Sequence, residues 1–413
     1  MFKFIVAGGG SASVSIVNNL IKSGRVQPSQ ILVIEPSLVN YYQPGFTMIG
    51  GRVLGDAESI KKNSMHIIEN KTANMFPFSV PILQKEVVSF NPDQNSLSVS
   101  GGESLQYENL IVSMGIHLDF EAVPGLKQAL DDEKSTVGSI YRLPYAFKTN
   151  KIIENFKGGN AVFCMPPLPI KCPGAPQKIM HLAIDNFKAA GVTDFKVHYY
   201  MAQPAIFSVP KYAKKLKEIA EGKGINLNFE HTISRVEHEK KIAYFKNKDG
   251  EIAVPYDMLH VPPPQRGVNA LKNSTLVDKT GFVEVNKETL RHTRYNNIWA
   301  LGDCANTPIP KTLAAALSQS QVLTHNLFQA LDKKDINAKY EGYTACPIFV
   351  GNNKLMMCEF KYGLVPHETF SYKQDVPNGF FYWAKKWLFP RVYMQFVKRN
   401  WWFGRTMFFK PKF

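Results

Sequence analysis

Along the first 35 residues the apolar positions change their period twice. FKFIVA (2–7) is a short apolar run with β-branched residues, and SVSIVNNLIKSG (13–24) sets Val14, Ile16, Val17, Leu20 and Ile21 at helical spacing before Gly24. ILVIE (31–35) then reads as a second buried strand. Strand, helix, strand in that order calls for parallel pairing with a right-handed crossover. YENLIVSMG (107–115) and NNIWALGD (296–303) are apolar strands ending in glycine and are expected to return to the first sheet. Between them, NAVFCMP (160–166), KIMHLAIDNFKAAG (178–191) and FKVHYYM (195–201) form a strand–helix–strand unit of their own. The pattern predicts an α/β chain with two Rossmann-like dinucleotide-binding domains, the second inserted in the first. Residues 1–115 and 283–330 would form the first domain, 116–282 the insert, and 331–413 a C-terminal region ending in an aromatic, basic, membrane-associating tail.

Size and composition agree with two or three folded domains: 413 residues, 45% hydrophobic and 20% charged, which excludes a mainly disordered chain. Five cysteines, none spaced as CxxC, do not make a disulfide framework or a structural zinc site, and no metal is expected. The chain runs from Met1 straight into an apolar strand, so no leader peptide is expected, and no stretch reaches the length of a transmembrane span. Charge is the departure: 49 basic against 34 acidic residues leave +15, which favours an anionic partner, nucleic acid or a lipid surface.

GGGSAS (8–13) stands where a GxGxxG turn would cradle a pyrophosphate. Gly8 allows the tight turn and Gly10 the close approach, although Ser13 replaces the third glycine. Glu35, at the end of the second strand, suits a ribose hydroxyl. This much fits FAD or NAD equally. The late motif IWALGDCA decides for FAD, because Gly302 and Asp303 after a strand match the second flavin signature of two-dinucleotide-domain flavoproteins. Lys311 and LAAAL (313–317) follow, and a helix starting there would turn its positive end toward the flavin ring. A pyridine nucleotide would need a second glycine-rich turn. The one expected after FKVHYYM reads AQPAIFSV, without glycine.

IKCPGAPQKIM (170–180), YTACP (343–347), YYQPGFT (41–47), YDMLHVPPP (256–264) and GDCAN (302–306) together resemble the sulfide:quinone oxidoreductases of mitochondria and some bacteria, over residues 3 to about 362. The resemblance implies that Cys172 and Cys346 are the redox-active pair beside FAD. Cys346 would carry a persulfide and Cys172 would address the flavin C4a position. It places Ser11, Ala12, Gln43 and Val87 at cofactor contacts. It implies sulfide as substrate, a membrane quinone as electron acceptor, and glutathione, sulfite or sulfide as sulfur acceptor. Taken alone, each cysteine would more commonly be an inert buried thiol; the matching flanks reverse that. A helix N-terminus near Pro176, with Lys171 and Lys178, could stabilise a Cys172 thiolate. Cys304, Cys358 and Cys164 are expected to be structural, with Cys164 left open as the third catalytic cysteine that relatives of another type use. The alternatives are a type II NADH:quinone dehydrogenase and a non-catalytic, membrane-tethered flavin or persulfide carrier.

Residues 380–413 hold fourteen aromatics, eight Lys or Arg and no acid, more than half of the surplus charge. As a helix ended by Pro390, FFYWAKKWLF would set Phe380, Trp383, Ala384, Trp387 and Leu388 on one face and turn Lys385 and Lys386 away. No nucleic-acid signature accompanies the charge. The expectation is peripheral attachment to membrane lipid, at a bacterial inner membrane or, for a processed chain, the mitochondrial one.

Overall fold

A computed structural model describes residues 1–413. Phe2–Ala7 pairs in parallel with Ile31–Ile34 on one side and Ser104–Val112 on the other. The sheet is buried on both faces, with Phe4 and Val6 packing into the larger core and Ile5 and Ala7 into a smaller one. That two-sided burial is why these strands are continuous apolar runs rather than alternating ones. Ser11–Lys22 crosses over between the first two strands. Val87–Asn91 and Ser96–Val99 extend the sheet antiparallel beyond Ser104–Val112, and Ile298–Ala300 comes back to pair in parallel with Ser104–Val112.

The chain between those two strands carries a second, all-parallel sheet of five strands. In it Gly159–Met165 and Phe195–Met201 pair over seven residues and are joined by the helix Ala175–Ala189. This corrects the position of the second cofactor turn. In such a unit the turn that meets a dinucleotide follows the first strand, so it is residues 166–174, not the segment after Met201. That turn, PPLPIKCPG, holds four prolines, Cys172 and a single glycine. Beyond the first sheet, Thr344–Gly351 and Lys354–Lys361 form an antiparallel hairpin that packs on Ala175–Ala189.

The tail departs from expectation twice. Pro390 does not end its helix: the chain stays helical through Gly379–Trp383, Ala384–Leu388, Phe389–Arg391, Val392–Phe396 and Val397–Arg399. The segments Ala384–Leu388 and Val392–Phe396, on either side of the proline, are π-helical, and their wider turns absorb its missing N–H. The faces keep their expected spacing, but the one opposite the rings packs on the protein. Lys385 is buried at 3% exposure instead of facing solvent, while Phe380, Trp383 and Trp387 point outward at 52%, 50% and 37%. No helix is long and apolar enough to cross a membrane.

Candidate active site

A cavity of about 420 Å³ opens where the two sheets and the tail meet. Gly8, at φ +105°, brings its backbone so close to Ser113 that a Cβ would lie 2.6 Å from the Ser113 carbonyl oxygen, whereas a Cβ on Gly10 would meet nothing within 4 Å. The helix Ser11–Lys22 begins beside this space with no side-chain cap and no acid in its first turn. Its first N–H groups are therefore available to a phosphate. The Glu35 carboxylate, at the cavity wall, accepts from the Gly9 N–H at 2.7 Å and the Ser37 N–H at 2.9 Å. The wall also holds Gly302, Asp303, Lys311 and the start of Leu313–Leu331, whose Thr312 cap accepts from the Ala315 N–H at 3.1 Å. Burial pushes the Asp303 carboxyl up and the Lys311 ammonium down. An uncapped helix start, an open glycine cradle and a space of this size fit FAD.

The turn 166–174 delivers Cys172 to the same cavity. The Cys172 N–H donates to the Lys311 carbonyl at 2.6 Å and its carbonyl accepts from the Ala175 N–H at 2.7 Å, which ties the second sheet to the late flavin motif. These bonds hold Cys172 at φ +49°, an uncommon conformation for a residue with a side chain. Cys172 is half-buried and lines the cavity. Cys346, in Thr344–Gly351, is fully buried, while its strand neighbours Ala345 and Pro347 reach the cavity wall. The two thiols are shifted in opposite directions. Contact with Cys346, then the Lys178 cation, holds Cys172 well below the ordinary thiol range, while Cys172 and burial drive Cys346 well above it. Lys178 Nζ donates to Cys172 Sγ at 3.3 Å.

Of the expected cofactor contacts, Gly8, Gly10, Ser11, Ala12, Glu35, Gln43, Gly302, Asp303 and Lys311 all line the cavity. Val87 lies apart: its side chain is buried in the smaller core, opposite Val99. Lys171 does not serve Cys172. Its Nζ donates to Gln43 Oε1 at 2.7 Å, and burial lowers it to about 8. Sequence reasoning missed the polar contacts that the tail makes at the site. Lys385 Nζ donates to the Tyr42 hydroxyl at 3.2 Å and is pushed down to about 7, chiefly by burial and then by Lys178, although the two thiols pull it up. Ser11 donates to the Tyr393 hydroxyl at 3.0 Å, Tyr393 donates to Asn40 at 2.6 Å, and Asn40 donates to the Gly9 carbonyl at 2.9 Å. The tail is thus bonded to the glycine turn itself.

Lys178→Met removes a cation at hydrogen-bond distance from Cys172. Cys172 then titrates higher, and the acid limb of the rate profile, where thiolate is lost, should move to higher pH. The rate below that limb should fall about tenfold or more. A profile unchanged in position would show that Lys178 does not stabilise the thiolate.

A family profile described as pyridine nucleotide-disulphide oxidoreductase matches residues 183–320. The mitochondrial sulfide:quinone oxidoreductase of Dictyostelium discoideum is 35% identical over 412 residues, which cover 99% of this chain and 88% of that one. Its namesake in Mus musculus is 34% identical over 407 residues, covering 98% and 88%. The solved sulfide:quinone oxidoreductase of Aquifex aeolicus shares the fold, with a TM-score of 0.78 at 16% identity over 97% of this chain and 92% of that one. Shared architecture alone does not produce a third of all residues in common from one end to the other, and the chain belongs to the FAD-dependent sulfide:quinone oxidoreductase family.

Proposed function

We propose that the chain oxidises sulfide and reduces quinone through a bridge between Cys172 and Cys346, with the roles of the two sulfurs set by their opposite electrostatics. Sulfide at neutral pH is largely HS⁻, an anion suited to a site with Lys178 and Lys385 beside the thiols. It attacks Cys346 Sγ, the S–S bond breaks, and Cys172 leaves. The sulfur whose thiolate is better stabilised is the better leaving group, and the Lys178 Nζ contact to Cys172 Sγ at 3.3 Å is the observation that carries this polarity. The products are a persulfide on Cys346 and a thiolate on Cys172, which faces the cavity. Bound FAD supplies the two-electron chemistry that links thiolate and quinone. The Gly8–Ala12 turn and helix start would hold its pyrophosphate, and Asp303 and Lys311 its opposite part. A small nucleophile, glutathione, sulfite or a second sulfide, would remove the outer sulfur and free Cys346 to close the bridge again.

The quinone would enter through the apolar part of the cavity wall that the tail supplies: Phe389, Val392, Val397, Trp402 and Met407. The outward ring face of Phe380, Trp383 and Trp387, with the cations around it, would rest in an anionic lipid surface. Each half-exposed ring is worth on the order of 1 kcal/mol when buried in lipid, so changing all three to Ser should weaken co-sedimentation with anionic vesicles about a hundredfold. Turnover with a short-chain quinone should persist. Undiminished vesicle binding would remove this face from the account.

The alternative donor is tested directly. Anaerobic sulfide should bleach the oxidised flavin within a turnover, and NADH should not, since residues 166–174 present prolines and Cys172 where a nicotinamide dinucleotide needs its glycine cradle. Bleaching by NADH and not by sulfide would overturn the proposal.

A further inference from the structure

The hairpin that carries Cys346 carries a second thiol directly across from it. Cys346 and Cys358 are register partners in the antiparallel pair, both fully buried. Opposed residues in such a pair lie about 4.5–5.5 Å apart at Cα and share one face of the sheet, within the roughly 4.4–6.8 Å that a disulfide spans. Alternation fixes which face this is. Ala345, Pro347, Met357 and Glu359 line the cavity, so Cys346 and Cys358 turn the other way, toward the start of Ala175–Ala189, where Ile348 on the same face reaches Gly174. The Lys178 cation acts on Cys172, Cys346 and Cys358 alike. The remaining two thiols behave differently: Cys164 donates to the His260 carbonyl and Cys304 to the Val112 carbonyl, as structural thiols do, and Cys358 makes no such bond.

We propose that Cys358 is a third redox thiol of this site, which exchanges with Cys172 for the bridge to Cys346. The inference rests on the Cys172–Cys346 bridge proposed above. Cys358 Sγ, deprotonated, attacks Cys346 Sγ; the Cys346–Cys172 bond breaks as the Cys346–Cys358 bond forms, and Cys172 leaves as a thiolate. One S–S bond is exchanged for another, with no electrons gained or lost. The proton from Cys358 is released to water, one for each exchange. Because a high-pKa thiol enters the bridge and a low-pKa thiol leaves it, the exchange is favoured as pH rises. Sulfide attacking the exchanged bridge at Cys346 gives the same Cys346 persulfide and returns Cys358 to a thiol. The exchange therefore presents a Cys172 thiolate to the cavity before sulfide arrives and leaves the products of the reaction unchanged.

Peptide mapping reads this out independently of activity. The oxidised, FAD-loaded full chain is alkylated and digested with trypsin without reduction; cleavage at Lys171, Lys178, Lys339, Lys354 and Lys361 puts Cys172, Cys346 and Cys358 on three separate peptides. The expected result is a 340–354 to 355–361 link in the wild type, growing relative to the 172–178 to 340–354 link as pH rises. The same link should dominate in Cys172→Ser after mild diamide oxidation and disappear in Cys358→Ala, which keeps the Cys172–Cys346 link. If the wild type shows the Cys172–Cys346 link and neither it nor Cys172→Ser ever shows the cross-strand one, the role of Cys358 is overturned and the bridge reading stands. Absence of the Cys172–Cys346 link in every protein, Cys358→Ala included, would instead remove the bridge on which the inference rests.

Discussion

Cys346→Ser should abolish sulfide-dependent quinone reduction, by at least about a thousandfold, in a protein that still purifies with its flavin. The substitution removes only the sulfur that receives sulfide. Cys346 is fully buried and does not line the cavity, so a serine of nearly the same size leaves the glycine turn, Asp303 and Lys311 untouched. Cys172 should lose its partner at the same time. Contact with Cys346 is the largest influence holding Cys172 down, so its thiol should titrate higher in the variant, and alkylation of Cys172 at neutral pH should slow. Retained turnover with sulfide would remove Cys346 from the reaction.

Gly8→Val should yield colourless protein with no activity. Two costs add at this position. The backbone stands at φ +105°, which β-branched residues avoid, and the new Cβ would sit 2.6 Å from the backbone oxygen of Ser113, which follows the strand Ser104–Val112 and is tied by its N–H to the Ala7 carbonyl. The strain is on the order of 3 kcal/mol before the clash is counted, and relief requires moving the turn that faces the pyrophosphate. The expected readouts are loss of the flavin absorbance and a melting temperature lowered by several degrees. Full flavin content with native stability would show that the turn does not hold the cofactor.

How much could be read before the structure follows from where the constraints lie. The opening βαβ unit was plain because a sheet buried on both faces forces continuous apolar runs, and the flavin turn was plain because its glycines answer a local steric demand. The cysteine pair was not legible from spacing: Cys172 and Cys346 meet because a loop of the second sheet is bonded to Lys311 and a hairpin packs on the helix that follows. Only the resemblance of their flanks singled them out. Helical periodicity at 3.6 residues per turn sets Lys385 opposite the ring face, and it does not say that this opposite face packs on Tyr42 instead of meeting solvent. The second cofactor turn lies after the first strand of the unit 160–201 and not after the second, a placement that the strand–helix–strand order in the sequence already contains. Cys358 reads as structural from its sequence, because its register opposite Cys346 is set by the hairpin.

Locating the sulfur after one turnover tests the central claim most directly. Oxidised protein is mixed with one equivalent of sulfide without oxygen, alkylated at once and mapped by mass. The predicted result is one extra sulfur on the peptide 340–354, with Cys172 trapped as a plain thiol and the flavin still oxidised until sulfite is added to take the outer sulfur, when the flavin bleaches. An extra sulfur on Cys172, or a bleached flavin with no added sulfur on either peptide, would contradict the account.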